Sequence, residues 1–153
     1  MNYLKDDNWV SLSGRPIGNI EEHIRKRFGD NRYTFHIGSD SKTYADHTVV
    51  ITAICFRENG SGALVAYQKN RVSNFANITQ KLIHEVVVSL EGAQLIQDLT
   101  GEAPTVHADV NPDKEALSNR ALSVIVGMVK GMGFSVKVKP DAWAADIADM
   151  FTR

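Results

Sequence analysis

Tyr33-Thr34-Phe35-His36-Ile37-Gly38-Ser39-Asp40 reads as a strand that ends on an acid. Successive strand side chains point to opposite faces. His36, Gly38 and Asp40 therefore share one face, while Phe35, Ile37 and Ser39 share the other. Outward from this stretch, Thr48–Arg57 and Ala63–Lys69 are two further strand-like runs rich in Val, Ile and aromatic residues. Glu58-Asn59-Gly60-Ser61-Gly62 is a hairpin signal between them. The segment Asp40–His47 is short enough for the first two strands to pair antiparallel as well. Three consecutive strands thus form a meander.

Downstream, residues 78–99 carry Leu82, Val86, Leu90, Ala93 and Ile96 on one stripe, the spacing of a long amphipathic helix. Gly101 and Pro104 end it, and Thr105–Val110 is a fourth strand. Asn111-Pro112-Asp113 opens a helix through Leu117, Ala121, Val124, Ile125 and Met128 that stops at Gly131 and Gly133. Phe134–Lys139 is a fifth strand, and Asp141 opens a last helix. Strands four and five, joined by a helix, should be parallel with a right-handed crossover. Upstream, Ile20, His23, Ile24 and Phe28 give a helix from Asn19 that closes at Gly29-Asp30. Residues 1–16 have no period and contain Gly14 and Pro16, so they read as an irregular arm pinned by Trp9. Residues 17–153 read as a single domain with helices packed on one mixed sheet.

Composition fits that size. A chain of 153 residues with 43% hydrophobic and 23% charged residues buries one core and is ordinary for a globular domain. The one cysteine, Cys55, sits in an apolar run, which excludes a disulfide framework and suits a core role in a reducing compartment. The N-terminus lacks a signal-type apolar stretch, and no run approaches a membrane span, so a cytoplasmic location with no membrane partner is expected. A formal charge of −1 argues against general, basic-protein affinity for nucleic acid. It leaves room for a nuclease, whose metal ions supply positive charge at the phosphate.

The acids carry the chemistry. Asp40 and Asp109 each end a strand with a histidine (His36, His107) on the same face. In α/β sheets ligands collect near the carboxyl ends of strands. On the long helix Glu85 lines up with Leu82, Ser89 and Gly92, and the small Ser89 and Gly92 let this side approach a backbone such as Gly38. Glu91 lies six residues on, on another face, and fits a solvated charge better; it is the reserve to Glu85. Asp141 is in line with Ala144, Ala145 and Ala148, a stripe facing the sheet, and is the expected fourth acid. Asp146 is the alternative, and Asp149 falls with it on the more polar side. Three or four carboxylates from separate elements suit Mg²⁺ or Mn²⁺, which prefer oxygen ligands. Two such ions about 3.5–4 Å apart can activate water and stabilise the leaving oxygen of a phosphodiester. Lys42 and Lys139 are candidate contacts for the substrate backbone, with Lys69, Arg71 and Lys137 as possible continuations of that path. His36 and His107 read as packed or hydrogen-bonded beneath a helix rather than as ligands, with a proton-shuttle role as the alternative.

The chain resembles the ribonuclease H superfamily, and within it the bacterial RNase H-like YkuK family. The resemblance rests on Ile37-Gly38-Ser39-Asp40-Ser41, Val49 to Ala53, Glu85 to Glu91, His107-Ala108-Asp109-Val110-Asn111, and Gly131 through Lys139-Pro140-Asp141-Ala142-Trp143-Ala144-Ala145. It implies a five-stranded mixed sheet in the order 3-2-1-4-5, flanked by helices, and a Mg²⁺- or Mn²⁺-dependent nuclease or strand-transfer site. Asp40 would be the first-strand acid, Glu85 the helix acid and Asp109 the fourth-strand acid. Asp141 or Asp146 would be the acid of the last helix. Nucleic acid (DNA, RNA or hybrid) would be the substrate, although a basic aromatic handle for hybrid duplexes is missing. The competing expectation is a non-catalytic RNase H-like module that binds nucleic acid or a protein. A nucleotide phosphate-transfer enzyme ranks last, because Gly60-Ser61-Gly62 fits a hairpin and not a phosphate loop.

Overall fold

Asn19 sets the first helix as expected: its side-chain oxygen accepts from the Glu22 amide at 3.0 Å, and α1 runs Ile20–Arg27. The computed structural model describes residues 3–29, 32–58, 60–113 and 117–152. The meander follows as β3 (Tyr33–Thr43), β4 (Thr48–Glu58) and β5 (Ala63–Val72), all antiparallel neighbours. Asn59 of the hairpin and Asp30 of the helix end lie outside the described residues. Next come α2 (Ile78–Thr100), β6 (Thr105–His107), a 3-10 turn (Leu117–Ala121), α3 (Leu122–Gly131), β7 (Ser135–Lys137) and α4 (Trp143–Asp149). Asn77 caps α2 through the Gln80 amide, and Gly101 closes it in the left-handed conformation at φ 74°. Both crossover strands are parallel to their neighbours: β6 to β3, and β7 to β6.

Among the described residues the sheet has seven strands, not five. The additions are β1 (Trp9–Ser11) and β2 (Pro16–Gly18), which extend the sheet beyond β5. The order is β2-β1-β5-β4-β3-β6-β7, so the expected 3-2-1-4-5 arrangement survives as the β5-β4-β3-β6-β7 core. Pairs of three-residue strands show no readable period, and the edge of β5 decides that they pair. Trp9 does pin this region: it is buried, and its Nε1 donates to the Lys5 carbonyl at 2.7 Å. Strands β6 and β7 are shorter than expected, because the chain turns away after His107 and Lys137.

Apolar layers cover both faces. Ile24, Phe28, Phe35, Ile37, Leu82, Val86, Ile96, Ile125 and Val129 fill the layer under α1, α2 and α3. Ile51, Ala53, Cys55, Ala144 and Ala148 fill a smaller one under α4. A sheet covered on both faces reads as near-continuous apolar sequence, which is what Val49 to Phe56 is. Burial raises the Cys55 thiol to about 12, so it is a core residue and not a nucleophile.

Two glycines let the helices sit close. A Cβ on Gly38 would overlap the Ala144–Ala145 backbone of α4. A Cβ on Gly92 would strike the Ile37 side chain. Gly38 therefore accommodates α4, not α2 as the sequence suggested. No helix among the described residues is long and apolar enough to cross a membrane.

Candidate metal centre

Strand parity and helix period meet on the α2 face of β3. Ser39 Oγ lies 2.7 Å from Ser89 Oγ, and Ser41 Oγ donates to Glu85 Oε2. Four helix residues rise about 6 Å and two strand residues about 6.6 Å, so 85-89-92 on α2 matches 41-39-37 on β3. That match seats Glu85 at the sheet, only 2% exposed. Of its two oxygens, Oε2 takes Ser41 and the Lys81 ammonium at 3.3 Å. Oε1 is buried and has no hydrogen-bond partner among the described residues.

Asp40 stands on the opposite face, within β3 and not at its end, since the strand continues to Thr43. What ends near it is the parallel pairing: β6 matches β3 only from His36 to Gly38. Beyond Gly38 that side of β3 is free of β6, and Asp109 lies just past the end of β6. Burial is the largest cause of a raised Asp40 pKa, followed by the Glu85 charge, a hydrogen bond with Asp149 and the Asp109 charge. Glu85 is likewise raised, to about 7, by burial first, against the opposing pull of Lys81 and Ser41. Glu85 and Asp109 thus act on Asp40 through their charges, and Asp149 through a hydrogen bond; Asp40 and Glu85 are buried, while Asp109 is partly exposed and Asp149 exposed.

The α4 acid that acts on Asp40 is Asp149, which the sequence placed on the polar side with Asp146. Asp141 is exposed ahead of α4, and it is not among the groups that act on Asp40, Glu85 or Lys139. The direction of α4 explains the difference. Trp143 packs on His36 and His107, with ring centroids 4.6 and 4.7 Å away, and Ala144–Ala145 crosses Gly38. The helix then advances about 9 Å to Asp149, toward the carboxyl end of β3. Asp146 is exposed and acts on Lys139. Asp146 and Asp149, three residues apart, share a helix face, which is the signal that sequence reading passed over.

Glu91 belongs to a different task. Its carboxylate accepts the Tyr3 and Leu4 amides at 2.8 and 3.0 Å, holding the N-terminal segment on α2. The buried Gln68 side chain holds the same segment, through Lys5 and the Asp7 carbonyl. Glu91 is therefore neither a ligand of this centre nor an idle surface charge. Lys42 is exposed, its ammonium 5.5 Å from the Tyr44 ring centroid. Lys139 enters the centre itself, 2.9 Å from Asp109 Oδ1. That hydrogen bond, then the Asp109, Asp40 and Asp146 charges, raise its pKa.

The histidines form a hydrogen-bonded row of fixed direction. The Ala144 amide, which can only donate, reaches His107 Nδ1 at 3.2 Å. His107 Nε2 therefore carries the proton and donates to His36 Nδ1 at 3.0 Å, and His36 Nε2 in turn donates to Thr34 Oγ1 at 3.1 Å. Burial above all, with Lys137 also contributing, lowers His36 to about 4 and His107 to about 3, so both are neutral. They are packed under α4, as expected.

Among the described residues, no three His, Cys, Asp or Glu side chains are drawn together as a metal-holding group. Lys81, Lys139 and the Asp40–Asp149 hydrogen bond occupy several of the oxygens instead. The donor chemistry nonetheless suits a hard cation, with oxygens only and one of them buried and unpartnered.

The ribonuclease H-like family profile matches residues 17–153. The chain belongs to the ribonuclease H-like family. It is also 29% identical to the uncharacterized protein YkuK of Bacillus subtilis (strain 168), over 79% of this chain and 80% of that protein. Membership accounts for the meander followed by parallel crossovers.

Proposed function

We propose that this ribonuclease H-like protein is a nuclease that hydrolyses phosphodiester bonds with Mg²⁺ or Mn²⁺ held by Asp40, Glu85 and Asp109, with Asp149 supporting Asp40. The observation that carries the reading is Glu85 Oε1, a buried acceptor without a partner, on an acid that repels Asp40 and Asp109. An unmet buried acceptor costs about 1–3 kcal/mol, and a cation would relieve it. When bound, the metal would polarise the phosphate and lower the pKa of an attacking water. The chain's own residues orient and shield. Gly38 lets α4 bring Asp149 to Asp40, and the Ser39–Ser89 contact fixes the α2 register that buries Glu85. A cleft of about 470 Å³ lined by Lys137, Lys139, Pro140, Asp141 and Trp143 adjoins the acids and offers a cationic, aromatic-flanked path for a nucleic-acid strand. Lys42 is a further candidate backbone contact. A cytoplasmic location accords with this reading.

The test is cleavage of DNA, RNA, hybrid and branched substrates with Mg²⁺ or Mn²⁺. Asp40→Asn abolishes it, and Asp149→Asn lowers it about 10–100-fold as a supporting shell residue does. Absence of metal-dependent cleavage on every substrate refutes the proposal. One observation favours a second reading, a non-catalytic nucleic-acid-binding module: Lys81 and Lys139 already pair with Glu85 and Asp109. Under that reading, Mn²⁺ does not bind.

A further inference from the structure

The sheet face that carries Asp40 is only half covered. The last helix, α4, crosses it at Gly38 and packs on Ile51, Ala53 and Cys55. Toward the amino ends of β3 and β6, Thr34, Arg57, Ser135 and Lys137 are exposed. A cleft of about 410 Å³ opens there, lined by Thr34, His36, Arg57, Glu102 and Thr105. It meets the cleft of Lys137, Lys139 and Trp143 at one contact, because Trp143 packs on His36 with ring centroids 4.6 Å apart. Strand register fixes the line between them. Arg57 stands opposite Thr34, and Lys137 aligns through His107 with Gly38. Three strand spacings and four residues of rise put Arg57 and Lys137 about 20 Å apart, with His36 between them.

Each cleft has one acid on its wall, Glu102 in the first and Asp141 in the second. The charges that act on His36, at the junction, are nonetheless those of Lys137 and Arg57. A positive floor on either side of a half-buried indole suits a chain of phosphates with bases free to stack. A duplex keeps its bases stacked inside and offers none to Trp143. We propose that a single-stranded nucleic acid crosses this face, its phosphates passing from Arg57 to Lys137 and Lys139 while a base stacks on Trp143. This rests on the nucleic-acid substrate of the reading above and adds the route by which the strand reaches Asp109, whose Oδ1 is 2.9 Å from the Lys139 ammonium. The route needs a strand of at least about four nucleotides.

The experiment follows binding of a labelled oligothymidylate of about 12 nucleotides to the full chain by anisotropy, between about 50 and 200 mM salt. EDTA keeps cleavage from intervening. The wild type binds, and its tryptophan emission is quenched; Trp9 is only 1% exposed, so the quenching reports Trp143. Arg57→Ala weakens binding and lowers the slope of log affinity against log salt by about 0.7, the share of one phosphate contact on a single strand. Arg57→Lys restores the slope, and Lys130→Ala, on the exposed side of α3, keeps the wild-type value. If Arg57→Ala does not fold, Arg57→Gln decides in the same way. An unchanged slope in the Arg57 variant, an equal loss in Lys130→Ala, binding without quenching, or a duplex bound as tightly as the strand each overturn the route and leave the nuclease reading standing. If the wild type binds no strand, the route falls and the nucleic-acid reading falls with it.

Discussion

Replacing Glu85 with Gln should stabilise the metal-free protein while removing its affinity for metal. Unfolded, this carboxyl ionises near 4.5; folded, near 7, because burial opposes its charge. Between those values the native state holds an extra proton, so stability falls as pH rises through the window and stays low above it. At roughly 1.4 kcal/mol per pH unit, the full cost is about 3 kcal/mol at pH 8. Glutamine carries no charge, keeps the shape and can still accept from Ser41. It forfeits the Lys81 ion pair, whose two side chains are 24% and 3% exposed, but that attraction already lowers the folded pKa and is contained in the figure of about 3 kcal/mol. A gain of about 3 kcal/mol at pH 8 raises the unfolding temperature by roughly 6–12 °C for a chain this long. At pH 5 the gain falls below about 1 kcal/mol, since wild-type Glu85 is then protonated in the fold. Thermal unfolding at the two pH values, with and without Mn²⁺, reads the effect. Saturating Mn²⁺ at about 100 times its dissociation constant adds about 2.7 kcal/mol to the wild type and little to Glu85→Gln. A variant that is destabilised equally at both pH values refutes the reasoning, because Glu85 would then be a structural side chain content in its burial.

Two further predictions separate the centre from its supports. Gly38→Ala places a methyl group against the Ala144–Ala145 backbone, so urea unfolding should show a loss of about 1–3 kcal/mol. Cleavage should drop with it, although no acid has changed, because α4 carries Asp149; wild-type stability would show that α4 gives way freely. Glu91→Gln weakens the hold on the Tyr3 and Leu4 amides and should cost about 1–3 kcal/mol of stability. Its Mn²⁺ affinity should equal that of the wild type, and a fall as deep as that of Asp40→Asn would return Glu91 to the centre.

The sequence by itself determined the order of elements from α1 onward, the hairpin meander, the parallel crossovers and the sheet-facing side of Glu85. These follow from local causes: periods of 2 and 3.6, caps such as Asn19 and Asn77, glycines at helix ends, and small residues in line with Glu85. Tertiary structure alone decided the rest. Nothing near Trp9 or Pro16 announces strands, because three residues carry no period and only the exposed edge of β5 makes pairing favourable. Asp149, and not Asp141, reaches Asp40 because the direction in which α4 crosses Gly38 sets which end of the helix lies beside it. Glu91 binds two amides from residues more than eighty positions away, and Lys139 meets Asp109 through strand register. Such contacts join elements distant in the chain, and their energy depends on relative placement that no local pattern encodes.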